Sequence, residues 1–169
     1  MHTIHLTSLF IALFVLILIS AFFSGSEIGM MSVNRYRLKH LAKKNKQAKR
    51  TQDLLASPDR LLGIILIGNT LANIIASSIA TIIGQRLYGT TGMAIATGLL
   101  TFVILIFAEM TPKTLAAIYP EKIALSVSFL LKILSKLFAP LISFTNIISN
   151  GVLKLFGIKV NYQDVDHKL

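Results

Sequence analysis

The sequence predicts an all-α membrane protein: three transmembrane helices with juxtamembrane and interfacial helices on the cytoplasmic side. Composition is the first reason. Of 169 residues, 54% are hydrophobic and 14% charged, with a mean hydropathy of +0.71. The second is clustering: the apolar residues gather into long runs at Leu6 to Phe23, Leu61 to Ile83 and Met93 to Phe107, and about 20 such residues in a helix cross a bilayer core. The third is charge placement. Nine of the 17 Lys and Arg residues lie between Arg35 and Arg60, beside a span rather than spread over a surface.

The first span is expected over about 5–31, as a long, tilted helix. No basic segment precedes it and no small-residue cleavage site follows, so it reads as a retained helix rather than a signal peptide. The basic stretch 34–57, with sparse apolar residues, suits one or two short cytoplasmic helices facing headgroups. Ser57-Pro58-Asp59 reads as a helix start, with a hydroxyl N-cap, a proline where its missing donor is harmless and an acid suited to the dipole. The second span then runs over about 58–83, and Gly84 to Gly92 forms a short outer loop. The third returns over about 93–118, with Gly98, Ala94, Ala96 and Thr97 allowing close helix approach. The positive-inside rule places the N-terminus outside and residues 34–60 in the cytoplasm, for a multi-pass protein of the plasma or inner membrane.

Beyond Pro120, residues 121–158 form two apolar pieces parted by Pro140. Lys132 and Lys136 share a face of the first piece, as in a helix lying in the interface; a hairpin crossing the membrane is the alternative. The tail, 159–169, is polar.

The net charge of +10 does not point to nucleic acid, because only Tyr36 interleaves an aromatic ring with the basic run. With no cysteine, thiolate metal sites, disulfides and cysteine nucleophiles are excluded. No acid–base pair accompanies a nucleophile, and His40 and His167 sit in basic or terminal segments, so no enzyme is expected. Nor is there a nucleotide-hydrolysis motif, which leaves an ion gradient as the energy source for any transport.

The chemistry is expected around Glu109, in I-L-I-F-A-E-M-T-P-K from Ile104 to Lys113. A carboxylate within a span costs several kcal/mol unless it is paired, protonated or bound to a cation, and therefore marks a functional site. Pro112 removes a backbone donor and crowds the Ala108 carbonyl, which would leave backbone oxygen beside the acid. Other oxygen-bearing residues interrupt the spans: Ser20, Ser24, Ser26 and Glu27 in the first, Asn69 and Asn73 in the second. Residues four apart lie about 40° apart on a helix, so Ser20 and Ser24 share a face, as do Asn69 and Asn73. Ser26 is about 200° from Ser24; either it faces elsewhere or Gly25 distorts the turn. At about 1.5 Å rise per residue, the three clusters fall within a turn or two of one depth. Serine, asparagine and glutamate oxygens without histidine or cysteine make a hard-cation set, and few carboxylates favour Mg²⁺ over Ca²⁺. The arrangement that would remove this reading is Glu109 turned to Lys113 or to open water, with the asparagines and first-helix serines turned to different neighbours.

Three stretches, S-A-F-F-S-G-S-E (Ser20–Glu27), G-N-T-L-A-N (Gly68–Asn73) and A-E-M-T-P-K (Ala108–Lys113), resemble the transmembrane domain of the CorC / cyclin M (CNNM) magnesium transporters, in the same order and spacing. The resemblance spans about residues 6 to 158. It implies a homodimer, a juxtamembrane belt and a dehydrated Mg²⁺ bound from the cytoplasmic side, exported in exchange for Na⁺. It further implies Glu109 as acidic ligand, Asn73 and Asn69 as amide ligands, Ser24 and Ser20 as hydroxyl ligands, and Gly25 and Ser26 shaping a helix break. A cytosolic CBS-pair domain that binds adenine nucleotide is expected beyond the tail 159–169. The rival expectation is a Mg²⁺-sensing membrane anchor that reports occupancy to such domains, or to a partner, without moving the ion.

Overall fold

The computed structural model describes residues 2–158, and side chains from residue 6 onward; the tail 159–169 lies outside the described residues. The chain is an all-α membrane protein, with no strand among the described residues. Two continuous stretches, Leu6–Ser32 and Pro58–Ile118, are long and apolar enough to cross a membrane. The second contains a reversal, so that it supplies two passes.

Helix α1 (His2–Ser32) is uninterrupted. The helix break expected at Gly25 and Ser26 is absent. Ser26 instead donates to the Phe22 carbonyl at 2.6 Å, one turn back, and a side chain bonded in this way leaves the helix continuous.

The basic segment folds as α2 (Arg35–Leu41) and α3 (Lys46–Leu55). Asn34 and Asn45, with extended ψ of 110° and 122°, cap them by accepting from the backbone N–H groups two and three residues on. Ser57 does not repeat this. Its ψ of 73° falls outside the extended region from which a cap reaches those donors, and its hydroxyl makes no cap bond,. Pro58 and Asp59 nonetheless open α4 (Pro58–Val103).

Inside α4, Gly89 has φ 67° and ψ −144°, a conformation open to glycine and costly for other residues. Here the chain turns back, dividing α4 into outgoing and returning limbs. The Gly84-to-Gly92 loop expected from sequence is therefore a single-residue turn. Gly84 and Gly92 are helical and face each other so closely that a Cβ on either would strike the other's carbonyl oxygen. Their small size reads as loop propensity, but its structural use is limb-to-limb contact. Gly98, expected to serve that purpose, has nothing within 4 Å of the position of a Cβ. In the outgoing limb Gly68, Ala72, Ala76, Ala80 and Gly84 recur every fourth residue, and the last four are buried. This small-residue stripe lets the limbs and α1 approach; the Phe23 ring covers Gly68.

The returning limb passes into a π-helical turn (Ile104–Met110), in which the Thr111 N–H reaches the Ile106 carbonyl five residues back. Helix α5 (Thr111–Ile118) follows with Pro112 in its first turn. Widening the turn just before a proline relieves the crowding its ring imposes on the preceding carbonyls.

Helices α6 (Pro120–Leu137) and α7 (Ala139–Leu155) are bent by 73° at Phe138. Ala124, Ser128, Leu131 and Ser135 form the buried face of α6, which lies against α1 and α3. Gly29 of α1 makes room for Ile123. Arg37 and Glu121 pair at 2.9 Å, an exposed contact worth about 0.2–1 kcal/mol. The core, including Met30, Leu38, Leu55, Leu61, Ile65 and Leu131, gathers at the end where α2, α3 and α6 meet α1 and α4. Toward the Gly89 end, α1 and α4 display exposed apolar side chains such as Phe10, Phe14 and Leu99, as lipid contact requires.

Candidate cation site

Ser20, on a buried face of α1, lies between the two asparagines of α4. Its hydroxyl oxygen is 2.8 Å from Asn69 Oδ1 and 2.6 Å from Asn73 Oδ1. A hydroxyl has one proton to donate, so it serves one amide oxygen, and the other amide can turn over and donate an N–H to the hydroxyl. The Asn73 amide donates only weakly to Asn69 Oδ1, at 3.5 Å. Hydroxyl and amide oxygens from two helices thus meet at one point, a set that a hard cation can use.

One turn along α1, Ser24 is fully buried and its Oγ has no hydrogen-bond partner. Leaving such a group unsatisfied costs about 1–3 kcal/mol. Its location, four residues from Ser20 on the same helix face, extends the polar cluster toward the α2–α3 end.

Glu109 stands in the π-helical turn. Its Oε2 is 3.1 Å from Lys113 Nζ, with the side chains 25% and 40% exposed. One half of the disqualifying arrangement is therefore present. The other half is not, because Ser20, Asn69 and Asn73 converge. A cavity of ≈ 270 Å³ between the limbs of α4 joins the two parts, with Asn73 and Glu109 both in its wall. Ser77, Thr97 and Thr101 complete its polar lining. None of these three is read from the sequence as a candidate ligand, and Thr97 is read only as a packing residue, although Ser77 continues the 69–73 spacing by one more turn and Thr97 and Thr101 are themselves four apart.

The other expected residues are placed differently. Gly25 packs on Pro112, whose Cβ and carbonyl oxygen would lie 3.6 Å from an added Cβ. Ser26 points back at its own helix. Ala108 is fully buried and does not line the cavity, so the backbone oxygen expected beside Glu109 is not offered there. The π-helical turn absorbs the proline instead. Among the described residues no three His, Cys, Asp or Glu gather into a metal cluster. A cation here would be held by hydroxyl and amide oxygens and one carboxylate.

Three helical passes with hydroxyl and amide oxygens gathered at the seam between α1 and a glycine-turned hairpin define a multi-pass membrane protein with a polar intramembrane cluster. The sequence profile of the cyclin M transmembrane N-terminal domain matches residues 10–168. The chain belongs to that family. It is 57% identical over 144 residues to the UPF0053 inner membrane protein YfjD of Escherichia coli K12, a match covering 85% of this chain and 34% of that protein. A UPF0053 protein of Haemophilus influenzae is 50% identical over 164 residues, covering 96% of this chain and 39% of the other. A protein of the same organism named polyamine export protein is 30% identical over 168 residues, covering 91% and 39%. The chain thus spans only about a third to two-fifths of these relatives.

Proposed function

We propose that this domain carries Mg²⁺ across the membrane from the cytoplasm, with Na⁺ moving in exchange. The observation that supports it most is the convergence of Ser20, Asn69 and Asn73, with the unpartnered Ser24 beside it and a cavity linking Asn73 to the Glu109 carboxylate. Hydroxyl and amide oxygens with a single acid suit a small hard cation. Lys113 holds the carboxylate while the site is empty and yields it to the incoming ion. A homodimer, and cytosolic regulatory domains outside these residues, belong to the same reading.

A polyamine cargo is the second reading. It is favoured by the printed name of the Haemophilus relative and by the Lys113 ammonium on Glu109, the contact a polyamine ammonium would make. Proteoliposomes containing the protein and a luminal Mg²⁺ dye separate the two. Under a Na⁺ gradient, Mg²⁺ flux is expected that falls when Asn73 is changed to Leu. Mg²⁺ binding without flux would leave the domain a sensor; radiolabelled spermidine flux in place of Mg²⁺ flux would make the cargo organic.

Orientation has its own test, because these residues contain no cysteine. A membrane-impermeant maleimide applied to whole cells is expected to label Thr90→Cys and to spare Lys44→Cys. The opposite pattern would invert the direction of transport.

A further inference from the structure

The structure assigns a second site, independent of the cargo: a notch between α3, the start of α4 and α6 that binds the phosphate of an anionic membrane phospholipid. This cavity, ≈ 160 Å³, is lined by four cations from three helices, Arg50, Arg60, Lys132 and Lys136, and by one carboxylate, Asp53. None of these cations forms an ion pair among the described residues. Arg50 and Lys132 are half-buried, and the Arg50 guanidinium is held 5.0 Å from the centroid of the Phe129 ring, which fixes its direction. Four positive groups share the notch with a single carboxylate, and the excess positive charge is relieved by an anion.

A polar group that no intramolecular contact uses also opens onto the notch. Ser135 is nine-tenths buried, lines the cavity and makes no hydrogen bond to any described residue. A hydroxyl so placed can donate to a phosphate oxygen, alongside bidentate donation from the arginines.

The surroundings select a lipid over a soluble phosphate. On α6, Phe129, Ile133 and Leu137 recur every fourth residue and are exposed, forming an apolar strip beside the Lys132–Lys136 edge. Leu62, exposed near the start of α4, adds to it. The notch lies where the apolar span beginning at Pro58 meets the basic helix α3. An acyl chain can follow the strip while its phosphate stays in the notch. Basic residues near an anionic leaflet contribute about 1 kcal/mol each, and a preformed notch adds selectivity to that attraction.

Native mass spectrometry of the purified protein with added phosphatidylglycerol, phosphatidylcholine or inorganic phosphate tests the assignment. Phosphatidylglycerol is expected to be retained and phosphatidylcholine lost. Lys132→Gln with Arg60→Gln should weaken retention by at least about tenfold, the change expected for losing roughly 1.4 kcal/mol. Lys122→Gln with Lys154→Gln, equal in charge but outside the notch, should leave it unaltered, and Asp53→Asn should strengthen it. Because Arg60 and Lys136 are exposed, Arg60→Gln with Lys136→Gln serves as a second pair that does not disturb packing. Equal retention of phosphatidylcholine, equal loss in the control pair, or displacement of the lipid by inorganic phosphate would each overturn the lipid assignment.

Discussion

Replacing Glu109 with glutamine is expected to weaken Mg²⁺ binding by at least about tenfold, a loss of roughly 1.4 kcal/mol, while Lys113→Met tightens it. The two signs follow from one contact. Lys113 Nζ lies 3.1 Å from Glu109 Oε2, so a cation that uses this carboxylate must first displace an ammonium of its own helix. Removing the carboxylate takes away the only acid in the cavity wall. Removing the ammonium takes away the competitor, and a partly exposed pair of this kind is worth about 0.2–1 kcal/mol, or up to roughly a fivefold gain in affinity. Calorimetry on the two variants and on Glu109→Gln/Lys113→Met measures this. The double variant should bind as weakly as Glu109→Gln alone, because with the acid gone there is nothing for Lys113 to block. If affinity is indifferent to all three changes, the pair is structural and Glu109 is not a ligand.

This contact shows where one-dimensional reading stops. Hydropathy and the position of Lys and Arg are properties of the sequence itself, so the all-helical membrane class was legible from runs such as Leu6 to Phe23. Fourfold spacing and helical rise also bring Ser20, Asn69 and Asn73 to one depth, where the structure finds the Ser20 hydroxyl 2.6–2.8 Å from both amide side chains. What could not be read was the choice among competing partners. Glu109 and Lys113 are four apart, a spacing that fits an ion pair as well as it fits a ligand with a bystander. Ser24 and Ser26 are both small and buried, yet one is orphaned and the other bonds to Phe22. Only the direction each faces on α1 distinguishes them.

Glycine was the most ambiguous letter. Gly84, Gly89 and Gly92 together look like a loop, and only Gly89 has a turn conformation. The other two belong to helices and matter for what they omit. Gly98, in a run of small residues, looked like a packing position and faces open space. A sequence records that a side chain is missing; which neighbour fills the space is tertiary information.

That distinction has a measurable consequence in the hairpin. Gly92→Ala is expected to destabilise the protein by about 1–3 kcal/mol or more, the range for overpacking a tight contact, and to lower its melting temperature by roughly 3–10 °C. The new methyl would strike the Gly84 carbonyl and lie 2.8 Å from Tyr88 Cβ. Backbone cannot rotate aside as a side chain can, so the limbs must part. The cavity between them, with Asn73 on one limb and Glu109 just beyond the other, would widen, and Mg²⁺ affinity should fall although no polar residue has changed. Gly98→Ala is the matched control: with nothing within 4 Å, it exchanges glycine for a better helix former, a gain of up to about 1 kcal/mol. Thermal unfolding in detergent, monitored by circular dichroism, and calorimetry on the same samples should therefore move in opposite directions for stability and separate for binding. If Gly92→Ala melts with the wild type, the limbs do not meet at these glycines, and the cavity that joins Asn73 to Glu109 loses its basis.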